Sequence, residues 1–352
     1  MFLAWKEIRH EKLRYGLIVF MIFLISFLIL ILSSLSVGLA NKNTSALKSW
    51  HLQTVVLNKH SNVSLTQSLL TQDQLDQAKL SKKEAVVGQT PVAAKGKNLT
   101  TVSSQFIGLN KDEYIFKNLP ITRGRKPKKD TEIVVDDAFA QKGYHLGDKI
   151  KLNDTARKYK IVGWVHHNEI NIAPVVYGSL KTWKKLRNVM PTVAASGIVS
   201  KRNFKPGIKG TKSYQQQTFI QKLPGYRDQN MTFMMMIGFL FVISLIIVAV
   251  FLYILTMQKL PNFAVLRAQG IPSKVLVSAT IWQSLILVLS GVVLGLAGLA
   301  LSAKFMPAAV PMSFSPAIWI PASLGMVIMG LIGAVLPAVK IARLNPLSGI
   351  GG

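Results

Sequence analysis

The sequence predicts a membrane protein with four transmembrane α-helices and a large α+β extracytoplasmic domain between the first and second. Three observations carry this reading. Half of the 352 residues are hydrophobic and only 16% are charged, with a mean hydropathy of +0.34, far to the apolar side for a chain dissolved in water. Four windows, 15–39, 231–258, 275–303 and 305–339, contain no Asp, Glu, Lys or Arg; each is long enough to cross about 30 Å of hydrocarbon at about 1.5 Å per residue. The stretch between the first two windows is polar, strongly basic and patterned in short strands.

Residues 1–14 set Phe2, Trp5 and Ile8 at spacing three beside Lys6, Arg9, Lys12 and Arg14. That pattern fits an amphipathic helix in the inner membrane interface, although a plain positive anchor needs only the charges. The first span is 15–40. Gly38 and Ala40 make a small-x-small pattern, but an apolar run of about 25 residues exceeds the roughly 7–15 of a signal peptide, so the segment is read as a retained helix.

The domain at 41–228 opens with a strand at "TVVL". A leucine-bearing helical excursion follows within 61–84, then a hairpin of "EAVVGQTPVAAKG" and "TTVSSQFIGL". Further on, a turn at Gly124 and Pro127 precedes a strand at 132–135 and a short helix at 136–142. Turns at Gly143 and Gly147 lead into paired strands at 149–152 and 159–165. The remaining segments are a second span at 229–258, a cytoplasmic coupling loop or helix at 259–274, a third span at 275–303, an outer loop at 304–316 broken by Pro311 and Pro316, a fourth span at 317–341 and a tail at 342–352.

Orientation follows from Lys and Arg in the short segments, whose positive charge opposes translocation. The start, the 257–274 connector and the tail are basic, whereas the loop before the fourth span has only Lys304. Both termini are therefore expected in the cytoplasm and the large domain outside. That domain holds 32 Lys and Arg against 13 Asp and Glu, a net +19 of the chain's +27. So basic a surface attracts polyanions, but no nucleic-acid motif accompanies it, so nucleic acid is excluded as a partner; anionic lipids or cell-wall polymers are the neighbours, or the surface is simply solvated. The chain has no cysteine, so the domain is stable without disulfides.

No G-x-x-x-x-G-K-[ST] occurs, so ATP is not hydrolysed here by that route. The spans also carry no ionisable residue to relay protons or bind a coupling ion. No catalytic residue, metal ligand or resident cofactor is assigned, and energy has to come from a partner. In "QKLPNFAVLRAQGIPSKVL", Pro261 can start a helix, Phe263, Val265 and Leu266 form an apolar ridge beside Arg267, and Gly270 can end it in a left-handed cap. A short stiff helix between two spans can dock in a groove of an ATPase, or can serve as a plain connector.

Gly291 and Gly295, followed by Gly298, let the third span approach a neighbour closely, within the chain or in a second copy. Met231, Met234 and Met235, with Phe233 and Tyr226, lie at the outer mouth of the second span. Soft thioethers and rings can hold a flat apolar molecule, and equally suit lipid or core packing. His166 and His167, and His51 and His60, lack the cysteine spacing of a zinc site and are read as surface residues.

The stretch "GRKPKKDTEIVVDDAFAQKGYHLGDKIKL", the connector "KLPNFAVLRAQGIPSKVL" and the closing "LPAVKIARLNPLSGI" resemble, in that order, the FtsX-like, MacB-type ABC transporter permeases. The start "MFLAWKEIRHEKLRYGLI" and the overall length resemble the heme-exporter branch of that family and its Gram-positive relatives. The resemblance implies a plasma-membrane homodimer working with a cytoplasmic ABC ATPase that binds ATP-Mg, with heme as a possible substrate. It also implies that the interfacial helix lies along the membrane lipids and braces the first span. A different class remains open, in which the chain is a signalling module that relays ATP hydrolysis to an extracellular hydrolase or a sensor kinase without moving any substrate. Asn262 and Gln283 stand where the family often has acidic residues, which leaves open how coupling is tuned electrostatically.

Overall fold

The computed structural model describes residues 11–307 and 310–343; the interfacial pattern at Phe2, Trp5 and Ile8 and the end of the closing signature lie outside them. Two compact units are present, Leu39–Gln229 and a second unit made of the described residues up to Gly38 and from Asn230 on.

The second of these is helical. Its long apolar helices are Lys12–Ser49, Tyr226–Ala268, Ser273–Phe305 and Pro316–Gly333, the last followed by Val335–Ala342. Their most apolar windows have mean hydropathies of 2.1 to 3.0, yet only 22–39% of each window is buried within the chain. The surplus is turned outward: Phe239 is 62% exposed and Ile320 66%. Such belts need hydrocarbon or another copy against them, and their helical backbone keeps most of its hydrogen bonding within the segment, as a bilayer demands.

Helix ends and bilayer ends do not coincide. The first helix runs to Ser49, past the polar residues at 41–45. Asn43 Nδ2 donates back to Leu39 O at 3.0 Å and Thr44 Oγ1 to Ala40 O at 2.8 Å, and Ala46, Leu47 and Trp50 enter the core of the α+β domain. The second helix likewise continues through Pro261 to Ala268, so Pro261 is an interior residue and not the first of a separate coupling helix. The fourth span, expected as one piece, breaks at Ala334. Pro337 explains the break, because its ring clashes with the carbonyl four residues back, that of Gly333.

Glycines set the spacing of the bundle. A Cβ on Gly291 would stand 2.5 Å from Ile22 Cγ2 and 3.1 Å from Phe23 N, and one on Gly295 3.0 Å from Ser26 Cβ. The G-x-x-x-G of the third span is thus consumed by the first span of the same chain. Gly330 admits Val288 in the same way, at 2.4 Å.

The Leu39–Gln229 unit is built on an 11-stranded mixed sheet. The expected hairpin is Glu84–Lys95 against Val102–Leu109. Successive pairings run from Val102–Leu109 to Ala173–Ser179, Glu132–Asp136 and Lys158–Val165. Lys149–Leu152 then pairs with both Lys158–Val165 and Glu84–Lys95, closing six strands into a circuit around Phe106, Phe139, Tyr159 and Ile161. Within the hairpin, Gly88 faces Gly108, and the missing side chains make the slot filled by fully buried Trp183 of the helix Leu180–Arg187.

A partly buried ion pair ties together the ends of two neighbouring interior strands, Gly197–Ser200 and Glu84–Lys95. Glu84 is 2% exposed and accepts from Arg202 Nε at 2.8 Å, Ser81 Oγ at 2.6 Å and Ser200 Oγ at 2.9 Å. Burial pushes its pKa up, but these donors outweigh it and hold the carboxyl at about 2. A depressed carboxyl stabilises the fold above its unfolded pKa, near 4.5, and that contribution disappears as pH falls towards 2. Arg202→Ala should therefore move the acid-unfolding midpoint of the purified chain upward, by roughly half to one pH unit, measured by tryptophan fluorescence. An unchanged midpoint would remove this pair from the account of stability.

Candidate functional site

The bend between the second and third spans is the first candidate site. Gly270, at φ 88°, caps the second helix: its N–H donates to Arg267 O at 3.0 Å and Ile271 N to Leu266 O at 3.1 Å, the paired bonds of a glycine-terminated helix. Pro272 then precedes the third helix as its cap residue. Phe263 is 5% exposed and packs with Leu276 and Ile341, with Leu266 and Ile271 partly buried against them. Two residues of the expected docking ridge therefore face inward. The outward surface carries Pro261 and Val265, the latter 49% exposed. Arg267 is half-buried, its Nε without a hydrogen-bond partner among the described residues.

Beside this bend lies a polar junction that the sequence did not mark. Tyr15, 1% exposed, accepts on its hydroxyl from Lys259 Nζ at 2.7 Å and from Gln283 Nε2, and the ammonium stands 5.2 Å from the centre of its ring. A buried amide needs such partners. First, second and third spans meet here, and Gln283, noted only as a departure from an acidic residue, supplies one of the donors.

The methionine face is the second candidate. Met231, Met234 and Met235 fall at i, i+3 and i+4 of the second helix, on one side, and are 51%, 75% and 58% exposed. Phe233 is half-buried and is not part of that row. Tyr226 packs against the core of the α+β unit, so the structure does not group it with the methionines.

Histidines 51 and 60 stay apart from the other pair, whereas His166 and His167 come together with Asp137, one ligand atom of each lying within 4.8 Å of the others.

Residues 234–346 match the model described as the FtsX-like permease C-terminal domain. Over 354 residues, 99% of this chain and 99% of the relative, the sequence is 28% identical to the Staphylococcus haemolyticus protein named as hemin transport system permease HrtB. It is 27% identical, with the same coverage, to the protein of that name in Staphylococcus epidermidis. An uncharacterised ABC transporter permease of Mycobacterium tuberculosis is 22% identical over 66% of this chain and 65% of its own length. Among solved structures, the periplasmic region of MacB from Actinobacillus actinomycetemcomitans covers 48% of this chain and 91% of its own at 14% identity, with a TM-score of 0.36. The extracellular domain of YknZ covers 42% and 81% at 11% identity, with a TM-score of 0.32. With four helices long and apolar enough to cross a membrane, an α+β domain after the first and a C-terminal region that matches the FtsX-like permease model, the chain is similar over its full length to ABC transporter permeases.

Proposed function

We propose that this chain is the permease half of an ATP-driven exporter that expels heme or another amphipathic toxic molecule from a Gram-positive cell. The observation that carries the reading is the end-to-end similarity to a protein named as a hemin transport permease. In this reading two copies pair through their outward apolar faces and work with a cytoplasmic ATPase that binds ATP-Mg. Both termini and the 259–274 bend lie inside, the α+β domain outside. Nucleotide-driven closure of the ATPase pushes the bend, the spans rock, and the outer domain shifts. The exposed row of Met231, Met234 and Met235 offers polarisable, adaptable contacts to a flat porphyrin arriving from the lipid.

Two measurements test this. Cells lacking the permease and its ATPase should retain more cell-associated heme when grown in hemin; equal retention in both strains would remove heme and leave the permease assignment intact. Val265→Asp places a charge on the outward face of the bend without entering its core, and should weaken ATPase association by about 2 kcal/mol, roughly thirtyfold, in a pull-down. Full association of the variant would move the docking surface elsewhere. Leu266→Asp is a poorer probe, because Leu266 packs against Phe263, Leu276 and Ile341.

A further inference from the structure

The structure assigns a divalent transition-metal site, of the zinc class, to Asp137, His166 and His167 in the α+β domain. Sheet register creates it. Glu132–Asp136 and Lys158–Val165 run parallel with Asp136 beside Val165, so the next residues, Asp137 and His166, leave the sheet at the same end and the same level. Asp136, 1% exposed, locks the two exits together by accepting from Ala138 N at 2.9 Å on one side and from Asn168 N at 2.6 Å on the other.

Neighbouring residues of a strand point to opposite faces, which would separate two adjacent histidines. Here His167 takes a left-handed φ of 47°, and the imidazoles lie on one side with ring centroids 3.7 Å apart. His166 Nδ1 reaches Asp137 Oδ2, and His167 N donates to Asp137 Oδ1 at 3.4 Å. The side chain of His166 is 58% exposed and that of Asp137 32%, so an ion arriving from solution meets no barrier.

Two imidazole nitrogens with one carboxylate suit zinc and its borderline neighbours; magnesium and calcium prefer sets made of oxygen alone. Three protein ligands leave at least one position for water or an outside donor. Asp136, Asp137 and Glu169 stand near one another here within an otherwise basic domain, Glu169 being paired with Lys42.

The location gives the ion a structural consequence. One residue beyond His167, the loop grips the end of the helix Lys12–Ser49. Asn168 Oδ1 accepts from Ser49 Oγ at 3.1 Å, Glu169 N donates to Ser45 Oγ at 2.8 Å, and Lys42 pairs with Glu169 at 3.4 Å. An ion held by Asp137 and both histidines ties that loop to the turn at the other strand and stiffens the join.

The test is calorimetric titration of ZnCl2 into the metal-free, full-length chain in detergent. One zinc per chain is expected. Loss of outer partners of a metal site typically costs about 10–100-fold in affinity, so loss of two direct ligands in His166→Ala/His167→Ala should cost at least about 100-fold. Asp137→Asn, which keeps the volume and one oxygen, should weaken binding by about tenfold or more. His51→Ala/His60→Ala should bind as the parent does, and cobalt in place of zinc should give a visible absorption band that the double variant lacks. Absence of zinc binding by the parent, or parent-like affinity in the double variant, overturns the site; equal binding of magnesium overturns the zinc-class assignment.

Discussion

Replacing Gly291 with leucine is expected to abolish a folded membrane unit. Even the first added carbon would stand 2.5 Å from Ile22 Cγ2, 2.7 Å from Ile22 Cβ and 3.1 Å from the backbone of Phe23, so Gly291→Ala alone should cost about 1–3 kcal/mol. Leucine adds three more carbons at a place where two backbones nearly touch. Size-exclusion profiles of detergent-extracted protein should show the monodisperse peak lost for Gly291→Leu and kept for Gly238→Leu, since an added Cβ at Gly238 meets nothing within 4 Å. The same experiment separates two uses of a G-x-x-x-G. Were these glycines a contact between copies, Gly291→Leu would yield folded single chains.

Trp183→Ala should be the most damaging single change in the α+β unit, at about 3–5 kcal/mol. The indole is fully buried, and its slot is made by the absent side chains of Gly88 and Gly108, where a Cβ would come within 2.2 Å and 2.6 Å of it. Neither strand can close over the void, because both are held in register by neighbours on their other edges. For a unit of this size the loss corresponds to roughly 10 °C in thermal midpoint, read on the full-length chain by near-ultraviolet circular dichroism. Trp183→Phe should keep most of the stability, because the indole N–H has no hydrogen-bond partner among the described residues to lose. An alanine variant melting with the parent would mean that the slot contributes little.

The four spans were legible because a bilayer imposes one composition on every residue it touches, and charge-free windows record that directly. Helix ends were not, since composition marks where hydrocarbon stops, while a helix stops where its backbone bonds do. Asn43 and Thr44 look like a terminus and instead bond back onto the helix they continue. Pro261 carries the composition of a helix start and sits in an interior.

The site was legible only in part. Gly270 announced its cap through the chemistry of glycine alone. Phe263 and Leu266 read as an outward ridge because their cover, Leu276 and Ile341, comes from other helices. Tyr15 finds Lys259 and Gln283 at sequence separations of 244 and 268, and no local pattern encodes such a meeting. The histidine pair lacks cysteine spacing, and its neighbour Asp137 arrives through parallel strand register, 29 residues earlier.

The knot of Phe263, Leu276 and Ile341 gives the bend a mechanical character. Three helices share one greasy rivet, so a load on any one of them is passed at once to the other two, and no single helix can slide while the others stand still. Loosening the rivet would thus free all three helices from one another at a single point.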